Sequence, residues 1–256
     1  GAELLREGAR LLEEIDAVAN RVKRVATGWE PQLTIAIDTV ISKPVMMEMC
    51  DNFFSQSPPT RIRLREETLS GTLEALTTGQ ADLAIGVGAD SARTAGVHSK
   101  PMGSISFVYA VAPHHPLAQA PEPLSDELIQ KHRAVAVADS VQRGAGQTFG
   151  LLSGQDVFTV PTMVAKLDAQ LRGLGAGFLP EPMARPFIAS GALVAMQVTR
   201  QQRSGQLGYA WRENTQSNGQ PAGDRALQWW LAQLGKPHTR LALLGQSSKP
   251  KGRASV

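Results

Sequence analysis

Apolar residues at the start of the chain recur at alternating spacings of three and four. The residues of this seam are Leu4, Leu11, Ile15, Val18 and Val22. The spacing predicts a long helix over residues 1–29 that ends near Gly28, with Pro31 just beyond it. Such a helix can pair with the same helix of a second chain as a coiled coil. The alternative is an amphipathic helix that docks on its own chain.

After Pro31 the pattern alternates between short apolar strands and amphipathic helices. Predicted strands cover residues 33–37, 60–65, 82–87, 105–112, 134–138, 157–160, 176–179 and 207–211. Predicted helices cover residues 44–55, 71–78, 124–131, 145–152, 163–172, 182–188 and 222–234. This alternation predicts an α/β fold with a largely parallel sheet covered by helices. The spacing favours two lobes, and small ligands bind readily in a cleft between lobes. Lobe I is assigned to residues 31–110 plus 206–235, and lobe II to residues 111–205.

Charge is unevenly distributed along the 256 residues, which carry a net charge of +3. Residues 236–256 hold five basic residues and no acidic one, so the rest of the chain has a net charge of −2. The main body is therefore not expected to be a basic DNA-binding surface. The segment 236–256 is predicted to be a disordered basic tail whose removal leaves thermal stability nearly unchanged.

Common catalytic and metal-binding motifs are absent. The sequence has no phosphate-binding G-x-x-x-x-G-K-[ST], no H-E-x-x-H and no G-x-S-x-G. His114 and His115 are the only adjacent histidines, and neighbouring strand residues point apart, so we expect no metal site. Cys50, on the apolar face of a predicted helix, is expected to be a buried thiol. We predict neither enzymatic activity nor a cofactor. The single cysteine and the lack of an export signal favour the cytoplasm.

The ordered motifs resemble those of the LysR-type transcriptional regulators. They are GTLEALTTGQADLAIG at 71–86, APHHPLA at 112–118 and GLGAGFLP at 173–180. The resemblance implies a two-lobed fold like that of type 2 periplasmic binding proteins, preceded by a linker helix. It also implies a dimer or tetramer, and DNA binding only through an N-terminal winged helix–turn–helix that this chain lacks. The chain would then be the effector-binding and oligomerisation part. The alternative is a solute-binding protein of a transport system, which shares the fold.

The same resemblance suggests an effector site between the lobes. By position it would comprise Asp38, Thr39, Val40, Ser42, Glu67, Thr68, Asp139, Ser140, Thr162 and Met163. Two carboxylates at one edge of the sheet argue against an anionic effector and favour one rich in N–H or O–H donors, such as a nucleobase, nucleoside or amine. Alternatively, Asp38 and Ser42 cap a helix and Glu67 is a solvated strand end. A cation from Arg143 or Lys166 could also neutralise one acid, which would favour a neutral aromatic effector.

Overall fold

A computed structural model describes residues 28–88, 94–142, 148–200, 204–212 and 224–246. Residues 1–27 of the predicted linker helix, which include its whole seam, lie outside these residues, and so does Arg143. Gly28 and Trp29, the last two residues of that prediction, are not helical. Within the described part of the chain, strands and helices alternate as the hydrophobic pattern predicts. The strands are β1 (Gln32–Asp38), β2 (Arg61–Glu67), β3 (Leu83–Gly88), β4 (His98–Val111), β5 (Ala134–Val137), β6 (Val157–Val160), β7 (Gly177–Pro180), β8 (Val194–Met196) and β9 (Ser204–Trp211).

Helices cover these strands and supply the apolar faces that the sheets need. They are α1 (Lys43–Phe54), α2 (Ser70–Thr77), α3 (Asp126–Gln130), α4 (Met163–Leu171), α5 (Glu181–Ala189), α6 (Arg225–Leu234) and α7 (Pro237–Leu243). The α1 helix buries Met46, Met49, Cys50 and Phe53, which confirms the predicted buried thiol. The predicted helix at 145–152 is wrong for residues 148–152, which are irregular.

The main sheet has the strand order β2-β1-β3-β9-β4-β7, and β8 pairs with β4. Strand β1 runs parallel to both β2 and β3, whereas β9 and β4 run antiparallel to their neighbours. Strands β5 and β6 form a separate parallel pair, linked to the main sheet through a bridge from Ala134 to Ala176. The α/β class and the parallel arrangement of β2, β1 and β3 are thus confirmed. The prediction of a largely parallel sheet is wrong, because every other strand pair of the main sheet is antiparallel.

Strand β4 connects the two lobes. Its first part, His98–Ser106, pairs with β9, and its second part pairs with β7 and β8. Only the end of β4 was predicted from the sequence, because the earlier stretch HSKPMGS is polar and contains Pro101 and Gly103. One face of this stretch is exposed, so little apolar alternation marks it as a strand. Because β4 pairs with strands of both lobes, it marks no sharp boundary between them, and the assigned lobe boundaries stay a prediction.

The end of the described chain returns to lobe I. Glu30, which is buried, accepts hydrogen bonds from the backbone N–H groups of Ala226 (2.8 Å) and Leu227 (2.9 Å) in the first turn of α6. Its carboxylate thereby satisfies two N–H groups that have no partner within the helix. Burial raises the pKa of Glu30 above its usual value, and these backbone bonds oppose that rise.

The prediction of a disordered tail is wrong for residues 236–246. Helix α7 lies there, and Leu243 and Leu244 are buried in the same apolar core as Met46 and Trp230. The carbonyl of Leu243 accepts a hydrogen bond from the backbone N–H of Ser42 at 2.9 Å. The basic composition of this segment gave no sign that it packs on lobe I. A helix of seven residues can be held by the burial of only one or two leucines, which is too few to form a recognisable pattern.

Candidate functional site

The carboxyl ends of β1 and β2 meet at one edge of the sheet, as predicted. In the parallel register Asp38 lies opposite Glu67. The backbone N–H of Thr39 donates to the carbonyl of Glu67 at 3.0 Å, which holds the two strand ends together. Asp38, Thr39, Glu67 and Thr68 are all buried. The predicted alternative of a solvated strand end at Glu67 is therefore wrong.

Asp38 accepts hydrogen bonds from three groups around it. One oxygen accepts from the N–H of Val40 (3.0 Å), and the other from the N–H of Leu69 (2.9 Å) and the hydroxyl of Thr72 (3.3 Å). Burial raises the pKa of Asp38 to about 7, and the nearby Asp139 adds to the rise. Asp38 therefore orders the loop before α2. It does not cap α1 as the alternative proposed, and Ser42, the residue before α1, makes no side-chain capping bond either.

Glu67 forms bonds to both lobes. One carboxylate oxygen pairs with the guanidinium of Arg65 (2.8 Å), and the other accepts a hydrogen bond from the hydroxyl of Ser140 in lobe II (2.7 Å). Among the described residues, the cation that pairs with this acid is Arg65 of β2 itself. Lys166, the other candidate, is buried next to Gly177.

The turn that follows β5 in lobe II lies directly on lobe I. The hydroxyl of Ser140 accepts from the N–H of Thr68 (2.8 Å), and the hydroxyl of Thr68 donates to the carbonyl of Ala138 (2.6 Å). A carboxylate oxygen of Asp139 accepts from the N–H of Gly71 (3.2 Å) in the first turn of α2. Residues predicted separately from each lobe thus form one hydrogen-bonded network.

The side chains of the remaining predicted residues have other roles. Thr162 caps α4 and accepts a hydrogen bond from the N–H of Ala165 at 3.1 Å. Met163 is buried in the core of lobe II, and Val40 contacts the apolar cores of both lobes. Thr162 thus fixes the start of α4, and Met163 and Val40 contribute to apolar packing.

Two features of the network were not predicted from the sequence. A Cβ atom at Gly71 would lie 1.9 Å from the hydroxyl oxygen of Ser140, so only glycine permits this approach. Leu69 has φ = 53°, an unfavourable backbone conformation for a residue with a side chain. The sequence signal for the first feature was Gly71 itself, which lies in the first turn of a predicted helix. Glycine weakens a helix, so its presence there indicates a close contact that leaves no room for a side chain.

A small separate cavity lies inside lobe II. Tyr109, Val135, Lys166, Gly177 and Phe178 are among its walls. None of the predicted effector-binding residues lines it. Among the described residues, no group of three or more metal-ligating side chains comes together, and no helix has the length and hydropathy needed to cross a bilayer.

Two α/β lobes that meet through polar turns at strand ends define a ligand-binding class of fold. Residues 26–236 match the family described as LysR substrate binding domain. The chain belongs to this family and is the effector-binding domain of a LysR-type transcriptional regulator.

Known relatives agree with this assignment. The chain is 32% identical over 234 residues to the "Uncharacterized HTH-type transcriptional regulator YeeY" of Escherichia coli, covering 91% of this chain and 74% of the relative. It resembles the regulatory domain of MetR from N. meningitidis with a TM-score of 0.57 at 18% identity, covering 82% and 94% of the two chains. It also resembles full-length LysG from Corynebacterium glutamicum with bound effector Arg, with a TM-score of 0.58 at 18% identity over 94% of this chain and 78% of that one. The two structural matches establish the two-lobed fold.

Proposed function

We propose that this domain binds a small effector where the two lobes meet and transmits the binding to a DNA-binding part of the intact protein. The observation that supports this is the single network formed by Asp38, Glu67 and Thr68 from lobe I with Asp139 and Ser140 from lobe II. A ligand that binds both lobes changes the balance between lobe arrangements, provided that its affinity for the arrangements differs. The domain acts by binding and carries out no reaction.

The effector that fits this region best is rich in hydrogen-bond donors. The network contains three carboxylates, those of Asp38 and Glu67 in lobe I and that of Asp139 in lobe II. Arg65 balances the charge of Glu67, and the carboxylates of the network supply acceptors, so O–H and N–H groups of a ligand fit it better than a further carboxylate does. A nucleoside, nucleobase or amine is therefore a better candidate than a dicarboxylic acid.

A thermal-shift experiment with adenosine, adenine, putrescine and succinate tests this proposal. Adenosine at about a hundred times its Kd is expected to raise Tm by about 5–10 °C, because ligand binding stabilises only the folded state. The rise should be smaller in Glu67→Gln and Asp38→Asn and unchanged in Glu48→Gln, an exposed control on α1. A rise caused by succinate and undiminished in the two site variants would overturn the proposal.

The intact protein is proposed to be a homodimer or tetramer. The support is the apolar seam at residues 4–22, which suits a coiled-coil partner. Changing both Ile15 and Val22 to glutamate should dissociate the oligomer, because like charges would then face each other in the seam. Light scattering at micromolar concentration measures this, with Arg10→Glu/Arg21→Glu as the control on the other faces. A wild-type monomer, or a double variant of unchanged mass, would contradict the proposal.

DNA binding is proposed to depend on a winged helix–turn–helix that precedes residue 1, and the protein is proposed to act in the cytoplasm. Support comes from relatives named HTH-type transcriptional regulators. The other candidate function is a solute-binding protein of a transport system, which would share the two-lobed fold. The codons upstream of Gly1 distinguish the two, since a helix–turn–helix supports the regulator and a signal peptide supports the transport protein.

A further inference from the structure

The contact between Ser140 and lobe I satisfies hydrogen-bonding groups of both partners. The Ser140 hydroxyl donates to Glu67 at 2.7 Å and accepts from the N–H of Thr68 at 2.8 Å. One hydroxyl group thus provides a partner for a buried carboxylate and for a backbone N–H. Both groups cost free energy when they are left without a hydrogen bond. We propose that the Asp139–Ser140 turn is a built-in latch that occupies the effector's position and has to be displaced when the effector binds. This inference rests on the proposed function, because it assumes that the effector binds between the lobes.

The neighbouring groups of lobe I are occupied as well. The N–H of Gly71 donates to Asp139, and the N–H of Leu69 donates to Asp38. The N–H of Gln142 in lobe II donates to Glu74 of α2 at 2.6 Å. Both oxygens of Asp38 accept hydrogen bonds, and those of Glu67 are divided between Arg65 and Ser140. The Ser140 hydroxyl takes up the single N–H of Thr68 and one acceptor position of the inner oxygen of Glu67. A ligand that bridges these two groups therefore has to replace that hydroxyl.

The absence of a side chain at Gly71 allows the latch to close. An ideal Cβ atom there would lie 1.9 Å from the Ser140 hydroxyl oxygen and 3.0 Å from the Ser140 Cβ atom. The backbone of Gly71 is helical and has no positive φ, so an alanine would fit the helix and would even favour it. An alanine would therefore act as a wedge between the lobes without damaging α2.

The latch also specifies part of the ligand's chemistry. The group that replaces the Ser140 hydroxyl has to donate to Glu67 and accept from the N–H of Thr68 at once. A ligand hydroxyl does both, whereas a protonated amine has no lone pair to accept with. The ribose of a nucleoside, or another polyol, therefore fits the vacated position better than a bare amine or a free purine.

Hydrogen exchange of the ligand-free chain tests the latch directly. In Ser140→Ala the amides of residues 68–74 are expected to exchange at least about tenfold faster than in the wild type, because the N–H of Thr68 and the carboxylate of Glu67 lose their partner in lobe II. Gly71→Ala should accelerate the same amides by forcing the turn away. Ser190→Ala, an exposed serine of lobe II, is the matched control and should leave them unchanged.

Unchanged exchange of residues 68–74 in both Ser140→Ala and Gly71→Ala, with Tm retained, would overturn the latch. Adenosine and adenine then separate this inference from the proposed function. If the latch holds, adenosine should bind Ser140→Ala severalfold more tightly than the wild type, because the internal competitor is gone. Faster exchange without any binding of adenosine or adenine would support the latch and contradict the nucleoside proposal. Tighter binding of adenine than of adenosine would contradict the hydroxyl requirement.

Discussion

Truncating the chain after Gly235 is expected to lower the free energy of unfolding by at least about 3 kcal/mol. The truncation removes Leu243 and Leu244, which are 0% and 1% exposed in the core of lobe I. It also leaves the N–H of Ser42 without the carbonyl of Leu243. Removing large buried side chains costs both their transfer from water and the cavity that they leave.

Chemical denaturation measures this loss. A second truncation after Gln246 removes none of the contacts described for α7 and should keep the wild-type stability. The point variant Leu243→Ala should lose about 2–5 kcal/mol on its own, which separates the buried contact from the change in chain length. If the truncation after Gly235 unfolds at the same denaturant concentration as the wild type, α7 does not stabilise lobe I.

The stability of the wild type relative to Asp38→Asn is expected to fall as the pH rises. The pKa of Asp38 increases from 3.8 to about 7 on folding, since burial disfavours its charged form. Between these values the folded state binds more protons than the unfolded state, so stability decreases with increasing pH. The contribution is fully present below pH 4 and is lost above pH 7. From pH 5 to pH 8 the wild type should lose about 3 kcal/mol relative to the variant, which cannot ionise there.

Urea unfolding of both proteins at four pH values measures this difference. Burial also raises the pKa of Glu30 and Asp82 and lowers that of His115, but these groups are present in both proteins and their effects cancel. Asp51→Asn, at an exposed position on α1, serves as a control for the substitution itself. A constant difference between wild type and Asp38→Asn from pH 5 to pH 8 would contradict the burial of an ionisable Asp38.

Local patterns in the sequence predicted most of lobe I correctly. The strand before Asp38 and the strand before Glu67 are apolar or alternate, and parallel neighbours bring their ends to one edge of a sheet. The position of both acids therefore followed from periodicity and topology alone. The hydrogen-bonding partners of these acids could not be predicted in this way, because Glu67 pairs with Ser140, which lies 73 residues further along the chain.

Other features were missed because their cause is tertiary. Leu243 and Leu244 lie in a basic segment, and only the three-dimensional structure shows the apolar core that they complete. The first half of β4 is polar, and it is a strand because β9 supplies its hydrogen-bonding partner. Gly71 gave a weak signal, because glycine is a poor helix former. The reason for a glycine at this position is the close approach of Ser140 from the other lobe.

Hydrogen exchange with and without the compound that raises Tm most tests the central claim, that an effector binds where the two lobes meet. The account predicts that changes in exchange on binding are confined to segments 38–42, 66–74 and 138–142, which carry the network, with protection in the two lobe I segments. Protection confined to the walls of the lobe II cavity, at Tyr109, Lys166 and Phe178, would contradict it.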